Sequence, residues 1–108
     1  MIIQKDKDQL NNLSMNMILL AGNAREKIMK ALTACEARNF ITADSCLQAA
    51  LSEIEEAHIL QTETVQKEAM EQEYYYSMLF THAQDTLMTI QSEYNIALHQ
   101  VAILKTYG

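Results

Sequence analysis

An all-α fold is what this sequence predicts, and two observations predict it. The 108 residues contain no Pro and only two Gly, so few positions force a helix to break. Apolar residues recur at three- and four-residue steps through long stretches, the spacing that puts them on one helix face. The length suits one domain, residues 1–108, with a modest core that association would strengthen. There is no internal repeat, low-complexity tract or linker to divide it.

The first helix is expected over about 9–38, on Leu10, Leu13, Met17, Leu20, Ala24, Ile28, Ala31 and Cys35, with residues 1–8 frayed. Asn39 marks the break, since it can end one helix in a left-handed conformation or cap the next. The second helix, about 40–69, carries Ala43, Leu47, Ala50, Ile54, Ala57 and then Val65, with Glu53, Glu55 and Glu56 as a solvated acidic edge. Its register fades between Lys67 and Glu73, which places a turn near residues 70–75. The third helix then runs over about 75–105. Three helices of nearly equal length, roughly 40–45 Å at 1.5 Å per residue, make an antiparallel up-down-up bundle.

The third helix carries two seams. Leu79, Ala83, Ile90, Tyr94, Ala97, Val101 and Leu104 form one; Met78, His82, Asp85, Thr89, Ser92, Ile96, His99 and Ile103 form the other. A lone three-helix bundle needs one stripe from each helix, so the second seam calls for burial against another surface. Packing of the helix against its own copies about an axis supplies it. Asp85 then meets other copies of Asp85. Converging carboxylates repel and need protons, water or a cation, and oxygen-only ligands suit magnesium or calcium better than zinc.

His82 and Asp85, three apart, share a helix face. A neutral imidazole can attack an activated phosphoryl group and pass it on, with Gln84, Thr86 and Thr81 as candidate donors to the phosphate oxygens. A helix beginning near 75 leaves its positive end about two turns from His82, where the dipole is weak. His58, with Gln61 one turn on, reads as polar packing between helices, and His99 has no acid beside it. Gly22 lowers helix stability by roughly 1 kcal/mol relative to Ala, which a close backbone approach would justify. The Tyr74-Tyr75-Tyr76 run reads as packing at the start of the third helix.

Other classes are excluded by what they require. A net charge of −6 is the wrong sign for a nucleic-acid binder. Met17 to Ala21, the longest apolar run, is far short of a membrane span, and the N-terminus lacks a secretory pattern, so a cytoplasmic protein is expected. Cys35 and Cys46 are too few for a disulfide framework or a four-ligand zinc site and read as buried thiols. No Gly-rich phosphate loop, serine elbow or zinc-protease pattern occurs.

Three segments, in order, resemble the lactose/cellobiose-type enzyme IIA of the bacterial phosphoenolpyruvate-dependent sugar phosphotransferase system. They are Ile18-Leu19-Leu20-Ala21-Gly22-Asn23-Ala24-Arg25, then Glu56-Ala57-His58 with Gln61-Thr62, then Ser77 followed by His82-Ala83-Gln84-Asp85 and Leu87-Met88-Thr89. The resemblance implies a homotrimer of three-helix bundles, nine helices in all. It makes His82 the histidine phosphorylated, on Nε2, by the histidine-containing phosphocarrier protein, and Asp85 the ligand of one structural magnesium ion (Mg2+) per trimer. Phosphate then passes to a cysteine of enzyme IIB, which serves the membrane component enzyme IIC in sugar uptake. Thr86 departs from the family pattern, which usually has a second histidine there. That departure keeps open an alternative, a regulatory or structural helical oligomer without phosphoryl transfer.

Overall fold

The computed structural model describes residues 4–70 and 77–108, with side chains at 7–68, 70 and 77–108. Three helices account for nearly all of them: α1 (Gln4–Glu36), α2 (Phe40–Met70) and α3 (Met78–Tyr107). The described residues contain no strand. The bundle is a rod of 58 × 19 × 18 Å.

Helix α1 begins at Gln4, so the expected fraying of residues 1–8 does not extend to residues 4–8. Gln4 to Asp8 contain neither Gly nor Pro, and helical bonding continues back from the packed Leu10 and Leu13. At its other end α1 stops at Glu36, two residues short of the expected Arg38. Arg38 takes a left-handed conformation, φ 60°. The Asn39 N–H donates to the Ala34 carbonyl at 2.9 Å and the Arg38 N–H to that of Cys35 at 2.9 Å, the paired bonds of a Schellman ending. Of the two roles open to Asn39, capping is the one it takes. Its Oδ1 accepts from the Thr42 N–H at 3.2 Å, which opens α2.

The expected turn near 70–75 and the Tyr74-Tyr75-Tyr76 run lie mostly or wholly outside the described residues. The start of α3 is sharply marked. Ser77 is extended, φ −125° and ψ 115°, and its hydroxyl accepts from the Phe80 N–H at 3.0 Å, so α3 starts at Met78 rather than 75. A serine whose hydroxyl satisfies a free N–H favours this boundary over continued helix.

The core is one cluster contributed by all three helices. Met17, Ala24, Ile28, Ala31 and Cys35 of α1 and Ala43, Leu47, Ala50, Ile54 and Ala57 of α2 are buried as their spacing required. Val65 is exposed, because the stripe of α2 has already left the core there. On α3 the buried set is Phe80, Ala83, Leu87, Ile90, Tyr94, Ala97 and Val101. Phe80 and Leu87 were absent from the expected seam, whereas Leu79 is only half-buried and Leu104 is exposed. Numerous Ala let the helices approach closely.

Polar pairs tie the helices at their flanks. Arg25 holds Glu93 through Nε at 2.8 Å and Nη2 at 3.0 Å. Lys105 pairs with Asp44, and Lys27 with Glu53. Glu53 therefore leaves the solvated edge assigned to it: it is mostly buried, with Oε2 unpartnered, while Glu55 and Glu56 stay exposed. Cys35 is buried, Cys46 half-buried, and both are free thiols.

Candidate functional site

Helix α3 sets the geometry of the candidate site. Its inner face is occupied by its own core, which turns His82, Asp85 and Thr89 outward, all exposed. Side chains advance 100° per residue around a helix, so Asp85 lies about 60° to one side of His82 and Thr86 about 40° to the other. These three form one continuous patch. Gln84 does not join it: two residues on, it stands about 200° away, half-buried on the opposite flank. That flank is the one on which Gln91 meets α2.

The ring of His82 engages no hydrogen bond or ion pair among the described residues. Neighbouring hydroxyls differ in what they do. Thr81 Oγ1 donates to the Ser77 carbonyl at 3.1 Å and Thr89 Oγ1 to the Asp85 carbonyl at 2.8 Å, the back-bonding usual for threonine inside a helix. Thr86 is half-buried and its hydroxyl has no such bond among the described residues. It is left available one turn after His82.

The Ser77 cap also shortens the distance to the helix start. His82 lies five positions, about one and a half turns, after it. Helical side chains lean toward the N-terminus, so the imidazole is directed back over the first turn, nearer the dipole's positive end than a start at 75 allowed. The cap was not inferred from sequence, although a serine immediately before an apolar run, Met78-Leu79-Phe80, is the usual signature.

His58 bridges helices, as its surroundings suggested. Its Nε2 lies 3.1 Å from Gln91 Oε1, and Gln91 Nε2 donates to Asn95 Oδ1 at 3.2 Å. With the amide N–H pointed at Asn95, Gln91 presents its oxygen to a donating His58 Nε2–H. His99 is exposed on the outer face of α3. Gly22 has open space around it, with no atom within 4 Å of an added Cβ, so no backbone approaches it within the chain.

Among the described residues no three His, Cys, Asp or Glu gather into a ligand set. Asp85 offers one exposed carboxylate, a hard oxygen donor that fits magnesium in kind but supplies a single side chain per chain. Glu93, mainly by hydrogen bonding, raises the Arg25 pKa, and burial pushes the Cys35 thiol and the Tyr94 phenol up.

The family description "PTS system, Lactose/Cellobiose specific IIA subunit" matches residues 12–105, a span containing all three helices' cores and the His82 patch. The chain belongs to this family. It is a lactose/cellobiose-type IIA component of a phosphotransferase system. A lactose-specific EIIA component of Staphylococcus aureus (strain N315) is 37% identical over 84 residues, covering 78% of this chain and 82% of that protein. The lactose-specific EIIA component of Lactococcus lactis subsp. lactis is 35% identical over 100 residues, 93% of this chain and 95% of its own. Among solved structures, PtcA from S. mutans superposes with a TM-score of 0.86 at 33% identity, covering 91% of this chain and 96% of that one. The cellobiose-specific enzyme IIA from Bacillus anthracis gives 0.82 at 31% identity, covering 98% and 93%. The three-helix architecture of this IIA component is thus that of its family. No helix among the described residues is long and apolar enough to cross a membrane.

Proposed function

We propose that this IIA component carries phosphate on His82, from the histidine-containing phosphocarrier protein to a cysteine of enzyme IIB, for uptake of a lactose- or cellobiose-type sugar through enzyme IIC. The observation that carries the reading is the His82 imidazole, exposed and unengaged among the described residues, inside the matched span. Its neutral Nε2 attacks the donor's phosphohistidine; a new N–P bond forms as the old one breaks, and the donor ring recovers its electron pair. The thiolate of enzyme IIB then attacks phosphorus and His82 is released as neutral imidazole. Such transfer needs positioning and charge stabilisation more than covalent chemistry. The unpaired Thr86 hydroxyl donates to a phosphoryl oxygen, helped by the nearby start of α3. Gln84, on the other flank, reaches a phosphoryl only on a neighbouring copy.

The assembled form is a homotrimer of up-down-up bundles. Antiparallel order of α2 and α3 is supported by the pairs Asp44–Lys105 and His58–Gln91, whose numbers run in opposite senses on the two helices. Self-association is supported by the outer face of α3, where Met78, Ile96 and Ile103 are 75%, 60% and 57% exposed. Asp85 from each copy would hold one magnesium ion, whose charge offsets the gathered carboxylates. The lack of a membrane-spanning helix among the described residues fits work on the cytoplasmic side.

Incubation with phosphoenolpyruvate and the two general phosphotransferase proteins tests the reading. The parent chain should gain an acid-labile phosphoryl group and His82→Ala none; equal labelling of both would overturn the assignment. Thr86→Val should slow transfer to enzyme IIB, with Thr86→Ser restoring it. Failure to restore sugar uptake in a strain lacking its own IIA, despite normal folding, would favour the regulatory alternative.

A further inference from the structure

Residues seven apart on α3 hold equivalent places on its outer face, and Met78, Asp85, Ser92 and His99 form such a series, all exposed. A straight helix drifts only about 20° per seven residues, a mismatch that winding of helices around one another removes. The helix between them contains no Gly or Pro to shift the register. If the chain is the trimer proposed for it, the consequence is direct. Where Asp85 meets its copies, so does His99, two repeats on and about 21 Å further along the axis.

We propose that His99 forms a second, chemically different cation site on that axis, three imidazoles, one from each copy, taking a borderline divalent ion such as nickel, cobalt or zinc. The donor types set the preference. Carboxylate oxygens favour a hard ion, and neutral imidazole nitrogens a borderline one. Three nitrogens leave a further position for water. Ile96, one turn before, and Ile103, one turn after, are exposed apolar side chains that would flank the imidazoles along the axis.

Among the described residues of α3, no carboxylate lies one turn from His99. The neighbours of His99 one turn away on α3 are Asn95, Ile96, Ala102 and Ile103, none of them ionisable. Glu93 is engaged by Arg25 and Lys105 by Asp44. Helix α1 brings Leu32 and Glu36 to a groove shared with Gln100, Ile103 and Leu104, so Glu36 is the carboxylate nearest this end of the outer face on a neighbouring helix. Within one copy nothing among the described residues completes the site.

Native mass spectrometry and the visible spectrum of cobalt(II), on the untagged full chain, test the proposal. The expected result is one cobalt per three chains, a tetrahedral spectrum, and binding weakened at least tenfold in His99→Gln but kept in His82→Ala and Asp85→Asn. A trimeric parent that binds cobalt one per chain, or equally well in His99→Gln, would overturn the second site while leaving the trimer intact. A parent that stays monomeric overturns both. Because His99 is exposed in the single bundle, an unchanged thermal melt of His99→Gln under chelator separates loss of the site from loss of the fold.

Discussion

The two faces of α3 share one backbone, yet one is apolar throughout and the other mixed, and they meet different fates. On the inner face Phe80, Ala83, Leu87, Ile90, Tyr94, Ala97 and Val101 are buried against α1 and α2. On the outer face Met78, Ile96 and Ile103 stand in solvent between His82, Asp85, Ser92 and His99. The first face is satisfied by the chain itself. The second mixes apolar side chains with imidazole, carboxylate and hydroxyl groups that the chain itself leaves exposed. One helix thereby divides folding from function lengthwise.

Substitutions that separate the faces give the largest effects. Leu87→Ala, at a fully buried position, should lower unfolding stability by about 2–5 kcal/mol. Ile96→Ala should change the stability of the isolated chain by less than about 0.5 kcal/mol, while weakening self-association. Denaturant unfolding at low and high protein concentration measures both, and equal losses for the two variants would erase the distinction. Next in size is Asp85→Asn. Its removal of charge should make assembly insensitive to chelator, whereas sedimentation of the parent should show dissociation by tenfold or more when the metal is withdrawn.

A third effect sharpens the inner face through pH. Burial, and secondarily the charge of Glu55, raise the Tyr94 pKa in the fold. The native state therefore holds that proton more tightly than the unfolded chain. Stability from the neutral phenol is complete below the ordinary tyrosine range and is lost as pH rises through the higher folded value. Burial acts in the same direction on Cys35. Tyr94→Phe should extend the folded range at alkaline pH, seen by circular dichroism; an unchanged alkaline midpoint would mean that the phenol does not matter there. The smallest effect belongs to Gly22. With open space around it, Gly22→Ala should raise the stability of the isolated chain by up to about 1 kcal/mol, and a loss of self-association in that variant would locate a neighbouring copy there.

Much of this was legible in sequence because helix periodicity is a strong local signal. The stripes of α1 and α2 led to their buried residues, and the face shared by His82 and Asp85 followed from their spacing. Phe80 and Leu87 were missed because seven-residue seams sample a 3.6-residue helix too sparsely to define its whole buried arc. Glu53 was misread because charge alone does not show that Lys27 waits across the interface. Arg38 was not foreseen as the left-handed residue, since Asn39 next to it has the better intrinsic tolerance. Gln84 joined His82 only in sequence; two residues on a helix point to opposite sides.

Ser77 closes α3 with a single hydroxyl, and only four residues stand between it and His82. If that bond opens, the first turn can unwind and the backbone beneath His82 loosen while the rest of the rod remains folded. Amide hydrogen exchange at Phe80 and Thr81 should then be governed by local fraying, faster than at Leu87. The order of the helix end that bears His82 is in that sense a property of one serine, separable from the stability of the domain that carries it.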